Sequence, residues 1–188
     1  MMIALSIDSP LVMKVLYSVE PYCPHHGEIS EAITQAANAD PLFPDRFDGC
    51  FRTAAILIAL GWLGSRFQPN IVGNNGTTFG LYGIRPPSHD ARGKVITTNM
   101  LSNPRDASFI AIDLIRESMR KDRGRTWEER LFGYWDDQKH DSPMHQSLQV
   151  MLLADNITKN HFPPEMRALP PPLPSPYTPE LPAARTSP

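Results

Sequence analysis

Apolar and polar positions along this chain recur with helical spacing in several blocks, each bounded by proline, glycine or a capping residue. From Glu28 to Ala39, Ile29, Ile33 and Ala36 or Ala37 share one face. Asp40-Pro41 ends that block, because the residue before a proline is pushed out of helical backbone. The next block, about 49–63, carries a stripe of Phe51, Ala55, Ile58 and Trp62, but its other positions are apolar too. A helix apolar all round is a buried one. Asp48 stands where it can cap that helix. Asn103-Pro104 gives a cap followed by proline at the first helical position, and the helix 103–121 is predicted to bury Phe109, Ile112, Ile115 and Met119. Thr126-Trp127-Glu128-Glu129 is a capping-box sequence that opens a helix, 127–135, through Tyr134. Ser142-Pro143 opens another, 143–155, with Met144, Leu148, Met151 and Leu152 expected on its inner face. Between 68 and 100, Gly, Asn, Thr and Pro accumulate, which predicts a turn and at most short strands.

These elements add up to a mainly α domain around one buried helix that ends at Leu63-Gly64. The expected organisation is an N-terminal extension over 1–27, the helical domain over 28–161 and a tail over 162–188. Half of the chain's 20 prolines lie after His161. Pro170-Pro171-Pro172-Leu173-Pro174-Ser175-Pro176 forms neither helix nor central strand, since each ring removes a backbone donor and fixes φ. The tail therefore reads as extended, and as a candidate strap for a protein partner.

Charge and composition narrow the function classes. The 188 residues suffice for one domain with a real core. A net charge of -2 leaves no electrostatic footprint for nucleic acid. The longest apolar run, Ala54 to Leu60, is far too short to span a membrane. Met1 to Tyr17 contains Asp8 and no early basic residue, so no signal peptide is read there and cytoplasmic synthesis is expected. Cys23 and Cys50 have the number for one bridge but read as two free, partly buried thiols. Cys23-Pro24-His25-His26 lacks the second half of any zinc pattern, and His89, His140, His145 and His161 are scattered. No metal and no cofactor is expected.

The candidate chemistry lies at the end of the buried helix. Trp62-Leu63-Gly64-Ser65-Arg66-Phe67 is followed by Pro69-Asn70 and then by Gly76-Thr77-Thr78-Phe79-Gly80-Leu81-Tyr82-Gly83-Ile84. Together these resemble the core of the lysozyme-like lytic transglycosylases and goose-type lysozymes, over about residues 45–155. That family reads Glu-Ser-x-Phe, a loop, then Gly-x-x-x-Gly-Leu-Met/Phe/Tyr-Gln-Ile. Glycan cleavage needs a carboxylic acid to protonate the leaving oxygen, with its pKa raised by an apolar environment. By resemblance that acid belongs at Gly64, a glutamine at Gly83, and a tyrosine-asparagine pair at Tyr134 and Trp135. The acid position is thus vacated, with no intact catalytic residue. The resemblance implies glycan contacts from Ser65, Phe79, Gly80, Leu81, Tyr82, Gly83 and Tyr134. Residue by residue, the plain alternatives are a left-handed helix-ending glycine at Gly64, a turn at Gly83 and a core ring at Phe79.

The resemblance implies three functions. The first is a degenerate lysozyme-like domain acting as a peptidoglycan-binding or structural module. The second is a murein-cleaving enzyme with a relocated acid; Asp136 and Asp137 follow the Tyr134 helix within reach of the cleft, but read first as solvated helix-end charges. The third is a virion or secretion-apparatus assembly component that docks through the Pro-rich tail. Delivery to the cell wall or incorporation into a virion would then follow synthesis. The partners implied are peptidoglycan glycan strands and a protein bound by the tail.

Overall fold

The structure is a computed structural model, described over residues 6–44, 48–73, 76–86, 89, 93, 95–121 and 143–162. Among the described residues the fold is mainly helical: α1 (Ser9–Val19), α2 (His26–Ala39), α3 (Gly49–Ser65), α4 (Thr98–Ser102), α5 (Pro104–Lys121) and α6 (Pro143–His161). Two short strands, β1 (Val72–Gly73) and β2 (Thr78–Phe79), pair antiparallel between α3 and α4, with Val72 opposite Phe79 and Gly73 opposite Thr78. The predicted 127–135 helix, the residues 163–188 and the candidate acids Asp136 and Asp137 lie outside the described residues.

The central helix is the one its all-round apolarity predicts. On α3 every residue from Thr53 to Gly61 is buried. It packs against α2, α6 and α1. The α5 helix packs chiefly on α2 and α4. Arg116 of α5 locks that contact, reaching the Asp40 carboxylate at 2.6 Å and the carbonyls of Asp40 and Pro41 at 3.0 and 2.8 Å. These are the carbonyls at the C-terminal end of α2, where a cation is also favoured by the helix dipole. Asn103 caps α5 as expected, accepting from Arg105 N and Asp106 N. Ile112 and Ile115 are fully buried there, while Phe109 and Met119 are only partly so.

Four expectations change. Residues 6–27 hold a helix, α1, that the apolar pattern did not predict. Asp8 caps it by accepting from Leu11 N, and Val12, Val15 and Leu16 are buried in the same core as α2 and α3. Asp48 does not cap α3 with its side chain; its carboxylate instead takes the Arg52 guanidinium one turn on, at 2.7 Å. The inner face of α6 is rotated from the expected one: Val150, Ala154 and Ile157 are buried, whereas Leu148 and Leu152 are 46% and 62% exposed. Alanine at 154 lets α6 approach α3 closely, a choice that a reading weighted toward large residues passes over. Finally, α3 continues through Gly64 to Ser65.

Candidate functional site

The end of α3 is built around a left-handed turn that uses no glycine. Arg66 and Phe67 have φ of 55° and 58°. Each such residue costs about 1–2 kcal/mol for a side chain that carries a Cβ. Three local features offset that cost. The Arg66 guanidinium lies 3.7 Å from the centroid of the Trp62 ring, one turn back, in a cation–π contact. The Phe67 ring is fully buried, and its N–H reaches back to the Gly61 carbonyl. Gly61 leaves room for that ring, since a Cβ there would stand 3.2 Å from two of its carbons.

Ser65 fastens the loop that follows. Its hydroxyl donates to the Leu81 carbonyl at 2.7 Å and accepts from Gln68 N at 3.1 Å. Gly80, at φ 75°, lies directly on the Leu101 carbonyl, with no space for a side chain. Tyr82 is buried, with its hydroxyl 2.8 Å from the Ser108 hydroxyl. Burial pushes the Tyr82 phenol well above its ordinary range, against the lowering effect of that hydrogen bond. Phe79 and Ile84 exchange two backbone hydrogen bonds, which closes the segment into a tight hairpin turn.

This arrangement sets Gly64 against Gly83. A Cβ placed on Gly83 would stand 3.5 Å from the Gly64 carbonyl oxygen and 3.9 Å from its Cα. A Cβ placed on Gly64 would stand 3.0 Å from both carbonyl atoms of Tyr82. At this glycine notch the exposed Gly64 and the half-buried Gly83 meet backbone to backbone, a helix end against a loop with no side chain between. Gly64 is not the left-handed cap that sequence suggests. It is helical, and its missing side chain is explained by the close approach of the Tyr82 backbone. Gly83 does take a left-handed conformation, at φ 62°.

The sequence-predicted contacts divide accordingly. The structure brings Ser65, Gly80, Leu81, Tyr82 and Gly83 together around Gly64, with Phe79 half-buried on the hairpin. The side chains of Ser65, Leu81 and Tyr82 are buried, and those of Ser65 and Tyr82 are hydrogen-bonded inward. Tyr134 and Trp135 lie outside the described residues. From Gly49 to His89 the sequence contains neither Asp nor Glu, so α3 and the whole hairpin supply no carboxylate to the notch. Among the described residues no cluster of His, Cys, Asp and Glu could hold a metal ion, and no helix is long and apolar enough to cross a membrane. Cys23 and Cys50 are free thiols, and burial raises the Cys50 pKa.

No family model, curated protein or solved structure matches this chain. The lysozyme-like resemblance therefore rests on the sequence motif alone. A feature that motif reading missed lies beside it. The loop residues Gln68 to Ile71 form one wall of a surface depression of about 290 Å³, whose other wall is Pro24 and His25. The only sequence signal for it is the neighbourhood of Cys23, whose thiol donates to the Phe67 carbonyl at 3.4 Å.

Proposed function

We propose that this chain is a lysozyme-like domain that has lost its general acid and serves as a peptidoglycan-binding or structural module. The observation that carries this reading is the apposition of Gly64 and Gly83, fastened by the Ser65–Leu81 hydrogen bond, on a stretch of sequence without carboxylates. In the resembled family those two positions hold the acid and its glutamine neighbour across one cleft. Here they face one another as bare backbone. Their meeting supports a shared frame, and their identity removes the chemistry. General acid catalysis contributes ~10²–10⁴-fold to such reactions, and Gly64 has no proton to give.

A Cβ on residue 64 would stand 3.0 Å from the Tyr82 carbonyl, so a side chain there would press on the loop. Co-sedimentation with purified murein sacculi, run beside a turbidity assay on the same material, tests the reading. Retention on sacculi without clearing is expected. Clearing at the rate of an active lysozyme would overturn the proposal and point to a relocated acid. Absence of both, with a stable protein complex lost on removing the Pro-rich tail, would point to an assembly component instead.

A further inference from the structure

The depression between the α1–α2 connection and the loop after α3 is a site of its own, separate from the glycine notch. Pro24 and His25 line one side, and Gln68, Pro69, Asn70 and Ile71 line the other. The two sides are pinned together beneath it. The Cys23 sulfur donates to the Phe67 carbonyl and accepts from His25 N, both at 3.4 Å. Pro24 and Pro69 fix φ in each wall, so the shape exists before any ligand arrives.

The lining chemistry selects a class of ligand. Among the described residues no Lys, Arg, Asp or Glu borders the depression. That argues against phosphates, carboxylates and cations, which need a charged or metal-bearing partner. The polar groups are two carboxamides and one imidazole, which together offer both donors and acceptors. His25 stands at the N-cap position of α2 without a side-chain cap bond, so its ring is not spent on the helix. Pro24 and Ile71 add apolar surface, and Pro69, itself buried, backs it. The volume lies at the small end of ligand pockets, which span about 300–1,000 Å³. It suits one pyranose ring and not an oligomer. Tyr22, 92% exposed, precedes Pro24 by two residues on the same connection.

We propose that this depression holds an N-acetylated hexose unit of a glycan. The acetamido methyl would rest on the proline and isoleucine surface, and its amide and the ring hydroxyls would meet Gln68, Asn70 and His25. The proposal rests on the peptidoglycan reading for its choice of sugar, and it places the contact at a site the catalytic motif does not include.

The test uses the full chain and two probes, N-acetylglucosamine and murein sacculi. Side-chain amide resonances of Gln68 and Asn70 are followed by NMR during titration with N-acetylglucosamine, with glucose as a control. Sacculus affinity is compared between the parent and Gln68→Ala/Asn70→Ala, whose replaced side chains are exposed. The expected result is saturable shifts of both amides with N-acetylglucosamine and not with glucose, and about tenfold weaker sacculus binding in the variant. Unshifted amides and unchanged sacculus affinity would overturn the site while leaving the peptidoglycan reading intact. If the parent does not bind sacculi, that reading falls, and the titration alone decides: selective amide shifts keep the site, and their absence removes it.

Discussion

Replacing Gly64 with alanine is the most direct probe of the notch. Gly64 is helical and exposed, and at such a position Gly→Ala ordinarily stabilises by about 0.5–1 kcal/mol. Here the added methyl would stand 3.0 Å from the carbonyl carbon and oxygen of Tyr82 and 3.3 Å from its Cα. The sign depends on whether the hairpin can move away. Three anchors hold it: the Ser65–Leu81 bond, the Tyr82–Ser108 bond and the seat of Gly80 on Leu101. Overpacking against such a wall costs about 1–3 kcal/mol. The net loss is then about 0.5–2 kcal/mol, a fall of roughly 2–6 °C in Tm for a chain of this size. Gly27→Ala is the matched control, because Gly27 lies in the first turn of α2 with nothing within 4 Å of its Cβ position. It should hold or raise Tm. Differential scanning calorimetry of the two variants reads both signs. A Gly64→Ala protein more stable than the parent would show that the hairpin does not rest on residue 64. The same geometry bears on the double reversion Gly64→Glu/Gly83→Gln. Its glutamate must displace the Tyr82 backbone, and its glutamine must adopt φ near 62°, at about 1–2 kcal/mol. Slow murein clearing above a silent parent is the expected gain.

Because burial holds the Tyr82 pKa above that of the unfolded chain, the stability it supports is complete below pH ~10 and is lost as pH rises through the folded value. Tyr82→Phe should flatten the alkaline limb of stability against pH measured by urea denaturation, and an unchanged limb would show that Tyr82 does not set it. In native protein at pH 8, Cys23 should react with a thiol reagent well before Cys50, which is buried and has a raised pKa; equal rates would contradict the packing of α3. Truncation after Pro164 should leave Tm nearly unchanged, because the deleted residues are predicted to add no core. Phe162→Ala should cost about 3–5 kcal/mol, since that ring is buried edge-on against Phe51; equal effects of the two changes would refute the boundary.

What could be read from the sequence was whatever a short pattern determines. The α3 segment is apolar at nearly every position, so its burial needed no partner to be foreseen. Asp40-Pro41 and Asn103-Pro104 mark helix boundaries through backbone constraints that act over two residues. The motif around Gly64 located the notch, but the roles of its members depend on tertiary contacts. Tyr82 faces Ser108 of a distant helix and is core, a fact that Gly-Leu-Tyr cannot convey. Gly64 looked like a helix stop because glycine often is one. The stop comes two residues later, where Arg66 finds the Trp62 ring and Phe67 finds the core. The α1 helix was missed because its buried face is only Val12, Val15 and Leu16, flanked by residues that read equally well as an extended arm. The α6 face was misjudged because packing beside α3 favours small Ala154 over large Leu152.

The burial of α3 also has a consequence for synthesis of the chain. This helix is covered on one side by α2, made just before it, but on another by α6, which follows much later in the sequence. At ~5–20 residues per second, α6 leaves the ribosome several seconds after α3. During that interval a segment running Ala54-Ala55-Ile56-Leu57-Ile58-Ala59-Leu60 has no cover on its α6 face. The nascent chain is therefore expected to need chaperones that hold apolar segments. A message cut short before α6 should yield aggregated protein even though it encodes the whole notch.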